Sequence, residues 1–584
     1  MKNTEDLIKR IQELEEELKK VKSCKRYGLV WEEKEENFEK EAEGALPILQ
    51  EEKDLRIEES ESIPNNIIIE GDNYHSLSAL SYTHKGKIDV IYIDPPYNTG
   101  NKDFIYNDDY VDKEDSFRHS KWLSFMNKRL KIAKELLTDE GAIFISIGDI
   151  EQAQIKLLLD EIFGERNFIG TIIRITKRGG NKGDYIKPKK DYIHAYFKNV
   201  KFISKEEFGR IIKDKTKNWI TETFNGNIRK YKKGDIPYRE KLEVRKNQRY
   251  YIETPDGSLI IPKGNVFPNI KKDGEQVIPE TQDDKCWTWS RERYLKEKEN
   301  GRFIFKKSTK SPFLDEKGNQ AKWTIYKKVF DYEVEDKKEI FSDFIEEFEN
   351  SKGTNEVDKL DISFSFPKPT GLIKYLSEIS GKKNSTILDF FAGSGTTGHT
   401  IMELNKEDGG NRQFILCSNR ENTKDDPEKN ICKDITYERN KRVIQGYTNA
   451  KGEKVEGLGG NLRYYTTQFI KTERSIDDLR YKFMNMCDDL LCIKENTFNE
   501  VLLKNAIPEL KLYKKGKKYT AILYENHYFE NLQKLLKVLD GEISVYIFSL
   551  SKDIFEEALE GFDNVTVQNI PDDILETYKK IFNF

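Results

Sequence analysis

Ser385-Thr-Ile-Leu-Asp389-Phe-Phe391-Ala-Gly393-Ser-Gly395-Thr-Thr-Gly398 reads as a strand, a glycine turn and the start of a helix. The helix continues through Leu404, and a second apolar strand follows at Gln413–Cys417. Glycines in a strand-to-helix turn allow a tight bend and close backbone approach of a ligand at the helix N-terminus. The spacing Gly393-x-Gly395-x-x-Gly398 formally fits a dinucleotide fingerprint. Asp389 departs from that reading, because a carboxylate at the strand's last turn would repel a pyrophosphate. It suits a cationic ligand, such as a sulfonium with its amino-acid ammonium. A purely structural turn is the bland alternative.

The same strand–helix rhythm occurs far upstream. Asn66-Ile-Ile-Ile-Glu70 is a short apolar run ending in Gly71-Asp72, and residues 73–80 read as a helix. Ile88-Asp-Val-Ile-Tyr-Ile93 predicts a strand buried on both faces. A long amphipathic helix (121–137), a strand (142–147) and a helix to about 163 follow. Alternating strands and helices imply an α/β fold with a parallel, doubly wound, Rossmann-like sheet. Between about 205 and 355 the rhythm is lost, then returns at Ser385, so one α/β domain is interrupted by an inserted module. Residues 465–584 alternate again and predict a small separate α/β domain.

The strand ending at Ile93 runs into Asp94-Pro95-Pro96-Tyr97, at the carboxyl edge where open α/β sheets place their ligands. Two prolines stiffen the backbone and leave the Pro95 carbonyl without a local amide partner. A rigid carbonyl, an adjacent carboxylate and an aromatic face could grip a planar amine, accepting two N–H bonds and turning the nitrogen lone pair toward an electrophile.

Asp94-Pro-Pro-Tyr97 after one strand, with Asp389-x-Phe391-x-Gly393-x-Gly395 after another, resembles the amino-methylating DNA methyltransferases. The catalytic motif precedes the cofactor motif, a circularly permuted order similar to the β class of adenine-N6 enzymes. Further pieces are similar to the modification subunits of type III restriction systems: Tyr27-Gly-Leu-Val-Trp31, Glu70-Gly-Asp72-Asn, Phe366-Pro-Lys368-Pro369, Asp434-Ile-Thr-Tyr-Glu438-Arg and Gly457-Leu-Gly-Gly-Asn461. The resemblance covers residues 25–470. It implies S-adenosylmethionine over Asp389, Phe391, Ala392, Gly393, Ser394, Gly395 and Thr396, with Asp389 near the methionine ammonium. Asp72 would accept from the cofactor's adenine amine, Lys368 and Pro369 would flank its methionine end, and Glu421 is the candidate for the ribose hydroxyls. Asp94, Pro95, Pro96 and Tyr97 would hold an adenine N6 extruded from double-stranded DNA, with no metal. In a doubly wound sheet the first and fourth strands are neighbours, so Ile387–Phe391 and Ile88–Ile93 would place the two loops across one crevice.

Organisation and charge extend this expectation. The predicted segments are a heptad helix at 1–24, the catalytic half of the methyltransferase domain at 25–204, a target-recognition domain at 205–357, the cofactor half at 358–464, and the C-terminal domain. The stripe Leu7, Ile11, Leu14, Leu18, Val21 fits docking either on the chain's own body or on a second copy, as a homodimer. The 584 residues carry a net charge of −4, yet residues 171–330 hold 39 Lys+Arg against 21 Asp+Glu. A basic segment between acidic flanks suggests that it meets a polyanion. Six cysteines without a C-x-x-C pair read as reduced thiols of a cytoplasmic protein, and no apolar run is long enough to span a membrane. The alternatives are a solitary methyltransferase, cytosine N4, RNA or a glutamine amide as substrate, and a recognition subunit mainly serving a helicase-nuclease partner. Cytosine-N4 enzymes more often carry Ser where Asp94 stands, and glutamine methylases Asn. A nicotinamide oxidoreductase leaves Asp94–Tyr97 unexplained. No Pro-Cys nucleophile for cytosine C5 and no Walker A motif occur in the sequence.

Overall fold

The apolar run Ile88–Ile93 is a strand near the middle of a ten-stranded sheet. In chain order the strands are β1 (Ala45–Glu51), β2 (Asn65–Glu70), β3 (Ile88–Ile93), β4 (Leu137–Ile147), β5 (Phe168–Ile175), β6 (Lys190–Phe197), β7 (Phe344–Ile345), β8 (Thr386–Asp389), β9 (Gln413–Ser418) and β10 (Asn461–Lys471). Across the sheet they are ordered β1-β10-β2-β9-β8-β3-β4-β6-β5-β7. The computed structural model describes residues 31–570 apart from 37–44, 102, 107–108, 180–184, 205–209, 212–218, 241–243, 334–337, 340, 381, 423–425, 450, 472–485, 504–506 and 549–552. The heptad stripe and Tyr27–Val30 lie outside the described residues.

From β10 to β4 the strands run parallel. The sheet is nevertheless mixed, which corrects the expectation of a wholly parallel one. β6 is antiparallel to both β4 and β5, and β1 is antiparallel to β10. Antiparallel neighbours need no crossover helix, and no helix is found among the described residues linking β5 to β6.

Helices cover both faces, and the period-2 alternation of the strands decides which residue meets which layer. Ile67, Ile69, Ile91 and Ile93 pack with Leu77 and Leu80 of α1 (Asn73–Thr83) and with Trp122, Met126 and Leu130 of α2 (Arg118–Leu136). Beyond β4, α3 (Gln152–Leu159) adds Ile155, Leu158 and Leu159 to this layer. Ile68, Val90 and Tyr92 face the other way. There α4 (Asn350–Lys359) brings Val357, α5 (Thr370–Ser380) brings Leu372 and Leu376, α6 (Thr396–Asp408) brings Ile401, and α7 (Glu438–Gln445) brings Val443. A one-residue slip of β3 would exchange the two sets, so register is strongly held.

The chain divides into two compact units, Met1–Phe208 with Phe341–Phe584, and Gly209–Ile340. The second contains a four-stranded antiparallel sheet whose strands are, in order, Ile220–Phe224, Asn227–Lys233, Trp323–Phe330 and Phe303–Lys307. The C-terminal residues form their own five-stranded sheet, with Lys518–Leu523, Glu542–Phe548 and Val565–Ile570 parallel. They belong to the larger unit: Lys494 donates to Tyr82 of α1 at 3.1 Å. Among the described residues no helix is long and apolar enough to cross a membrane.

Candidate active site

β8 and β3 are adjacent and parallel, with Ile387 opposite Val90 and Leu388 opposite Ile91. Their carboxyl ends therefore emerge side by side, although about 300 residues separate them in the chain. One end opens the glycine turn and the other opens Asp94–Tyr97.

The glycine turn is held from beneath. Gly393 and Gly395 have φ of 47° and 71°, and Gly395 is the residue that caps α6. A Cβ on Gly395 would lie 2.5 Å from Asn440 Nδ2, and one on Gly398 would lie 2.2 Å from Asn440 Oδ1. Thr436 donates to the Gly393 carbonyl at 2.6 Å. Arg439, fully buried, donates to Thr396 Oγ1 at 2.7 Å and to Ser394 Oγ at 3.2 Å. Burial pulls this guanidinium down to about 10. Ser394 and Thr396 are buried, Ala392 anchors the turn to the Cys417 carbonyl at 3.1 Å, and Phe391 is half-buried against Phe125.

Asp389 is buried and both its oxygens are engaged inside the turn. Oδ1 accepts from the Phe391 amide at 3.1 Å and Oδ2 from the Thr397 hydroxyl at 2.6 Å. Burial pushes its carboxyl up to about 7, against the pull of those two donors; the nearby Asp94 charge adds to the rise.

Across the crevice, Trp122 Nε1 donates to the Pro96 carbonyl at 2.8 Å and fixes the proline pair on α2. Asn98, at φ 56°, donates to buried Glu151 at 2.6 Å. Tyr97 is half-buried over Gly148, where a Cβ would sit 2.8 Å from the ring. Burial raises its phenol well above the ordinary value. Asp94 is about a quarter exposed: Oδ2 is paired with Lys368 Nζ, while Oδ1 is buried and has no hydrogen-bond partner among the described residues.

Lys368 is the residue that touches both loops. Its ammonium pairs with Asp94 and lies 3.3 Å from the Tyr97 hydroxyl, while its carbonyl accepts from Thr396 Oγ1 at 3.1 Å. Pro369 is buried beside it at the start of α5, and its carbonyl accepts from Leu372 at 3.1 Å. Phe366, two residues earlier, is 80% exposed at φ 58°.

Asp72 lies at the carboxyl end of β2 on the same edge. It caps α1 through Tyr74 at 2.7 Å and accepts from Arg129 at 3.1 and 3.2 Å. Arg129, fully buried, also binds Glu36 and Asn73, and Asn73 donates to the Phe390 carbonyl at 3.0 Å. Asp72 is thus wired to the glycine turn. Glu421 is exposed after β9 at φ 50°, 3.4 Å from Lys429, apart from these networks. Arg129, Arg439 and Asn440 were not singled out as site residues from the sequence. A charged residue on the buried stripe Trp122, Met126, Arg129, Ala133 was the available signal for the first.

A family model for N6 and N4 methylases, described as DNA methylase, matches residues 88–449. Over 412 residues the chain is 30% identical to the EcoPI Mod subunit, a type III restriction-modification enzyme of Escherichia phage P1, covering 63% of this chain and 59% of that protein. It is 32% identical to the StyLTI Mod subunit, also type III, of Salmonella typhimurium, covering 61% and 52%. It is 33% identical to the type II methyltransferase M.KpnI of Klebsiella pneumoniae, covering 66% and 89%. The chain therefore spans between half and three fifths of the two Mod subunits it matches.

Proposed function

The chain belongs to the N6/N4 DNA methylase family, and on that premise we propose that it is an adenine-N6 DNA methyltransferase using S-adenosylmethionine. The observation that carries the reading is the buried Asp94 Oδ1, without a hydrogen-bond partner among the described residues, in the Asp94–Tyr97 loop one strand away from the glycine turn. An acceptor left without a donor at this depth costs about 1–3 kcal/mol. An arriving amine would supply that donor.

The residues fit the cofactor as well. The turn Asp389–Thr396 opens a helix N-terminus at the carboxyl edge, where backbone approach is close, and Phe391 stands beside it. Asp389 would face the methionine ammonium, Asp72 would accept from the adenine amine, and Lys368 and Pro369 would flank the methionine end. When bound, S-adenosylmethionine supplies an electrophilic methyl carbon on a sulfonium. The chain's own groups do the rest. Asp94 Oδ1 and the Pro95 carbonyl accept the two N–H bonds of the exocyclic amine and turn its lone pair toward the glycine turn. Stacking on Tyr97 returns about 1–3 kcal/mol of what extruding the base costs, itself a few kcal/mol. Acceleration then comes from positioning and electrostatics.

Duplex DNA as the substrate is supported by the four-stranded sheet of the Gly209–Ile340 unit, whose strands carry eight Lys and Arg and one Glu. Asp94, in place of the Ser more usual in cytosine-N4 enzymes, favours adenine. The Mod relatives support a role as modification and specificity subunit of a type III system, with a restriction subunit as partner; co-purification from the native host tests that part.

Mass spectrometry of nucleosides from a methylation-deficient host expressing the chain tests the chemistry. N6-methyladenine should appear with the wild type and vanish with Asp94→Ala, which should keep its DNA binding. N4-methylcytosine would overturn the choice of base, and an active Asp94→Ala would overturn the mechanism.

A further inference from the structure

Arg174 is the penultimate residue of β5 and Asp191 the second of β6, and their side chains are 1% and 4% exposed. The guanidinium grips the carboxylate with two nitrogens, Nε to Oδ1 at 2.8 Å. Two further hydrogens go to the Phe348 carbonyl at 3.0 Å and to Asn350 Oδ1 at 2.9 Å. A buried ion pair is weak evidence for stability, since its desolvation cost often cancels its attraction. Its neighbours show what else it does.

Asp191 Oδ2 also accepts from the Tyr97 hydroxyl at 3.3 Å. That hydroxyl oxygen accepts in turn from Lys368 Nζ at 3.3 Å, and the same ammonium pairs with Asp94 Oδ2. Guanidinium, carboxylate, hydroxyl, ammonium and carboxylate thus alternate donor and acceptor without a conflict from Arg174 to Asp94. Gly148 lies against one side of the Tyr97 ring and brings no side chain to hold it there. The hydroxyl, 3.3 Å from both Asp191 Oδ2 and Lys368 Nζ, is a point at which the ring's plane can be set. At the far end, occupation of Oδ2 leaves Oδ1 as the acceptor Asp94 has to offer.

We infer that Arg174 and Asp191 are positioning residues of the proposed methyl transfer, orienting Tyr97 through its hydroxyl and, through Lys368, the free oxygen of Asp94. The inference rests on the reading of Asp94–Tyr97 as the amine-binding group. Neither residue belongs to a motif. Asp191 meets Tyr97 because β6 returns antiparallel beside β4, and Arg174 reaches Tyr97 through Asp191.

The test is a double-mutant cycle on the full chain, with DNA from a methylation-deficient host as substrate. Asp191→Asn and Tyr97→Phe should each lower kcat about ten- to a hundredfold, while the cofactor Kd and the DNA KM stay within a factor of about two. The double variant should be no worse than the poorer single, because both interrupt the relay at the same Tyr97–Asp191 link. Arg174→Lys should retain more kcat than Arg174→Met at matched thermal stability. Losses that multiply in the double variant overturn the relay. So does an Asp191→Asn protein with a lowered Tm and wild-type kcat. A wild type that leaves DNA unmethylated overturns the parent reading, and the relay with it.

Discussion

Asp389 shows how one residue's sequence context and its folded environment differ. By position it is a carboxylate at the end of a strand, beside the expected place of a cation. Folding buries it and pushes its carboxyl up to about 7. The sign of the consequence follows. Below that pH the group is neutral and attracts no ammonium; above it the charge is present. Cofactor affinity measured by calorimetry should therefore be higher at pH 8 than at pH 6, and Asp389→Asn should flatten the difference. An equal pH dependence in the variant would assign the titration elsewhere. The same rise affects stability: with a folded pKa above the unfolded one, the group's contribution is full below about pH 4 and is lost as pH climbs through 7. Asp94 is the counterexample, because its sequence context already announced an acceptor. Its orphaned oxygen is what the fold adds.

At the scale of the element, the strand–turn–helix from Thr386 to Asp408 separates two uses of glycine. Gly395 and Gly409 both sit near φ +70°, at opposite ends of α6. Alanine at either must adopt a left-handed conformation, at about 1–2 kcal/mol. Only Gly395 also has packed atoms where the methyl would go, Asn440 Nδ2 at 2.5 Å and the Thr436 carbonyl at 2.9 Å, whereas nothing lies within 4 Å at Gly409. Gly395→Ala should thus cost clearly more in a denaturant titration than Gly409→Ala, and should alone weaken cofactor binding. Equal costs would mean that α7 yields to the methyl.

At the scale of the whole molecule, charge is shared differently from the sequence segments. The Gly209–Ile340 unit holds 31 Lys+Arg against 22 Asp+Glu, half the excess of residues 171–330. The acidic run 331–340 falls inside the unit, while the basic flank 171–208 belongs to the larger one. If the smaller unit neutralises several phosphates, duplex-DNA affinity of the full chain should fall steeply with salt, with a log–log slope of about 0.9 per phosphate contacted. Fluorescence anisotropy between 50 and about 200 mM salt measures it. A slope near zero would remove this unit from the DNA contact.

The sequence alone determined the strands β2, β3, β8 and β9, the helices α1, α2, α3 and α6, and the two loops that carry the chemistry. These are local signals: apolar periodicity, glycine spacing and a proline pair act within a few residues. The adjacency of β3 and β8 also followed, from a general rule of doubly wound sheets. The antiparallel return of β6, the Lys368 bridge, the Arg174–Asp191 pair and the cradle of Thr436, Arg439 and Asn440 did not. Each joins residues from 17 to more than 270 positions apart through hydrogen bonds made only in the folded chain. No periodicity encodes such a bond. It exists only after the sheet has brought distant side chains within about 3 Å of one another.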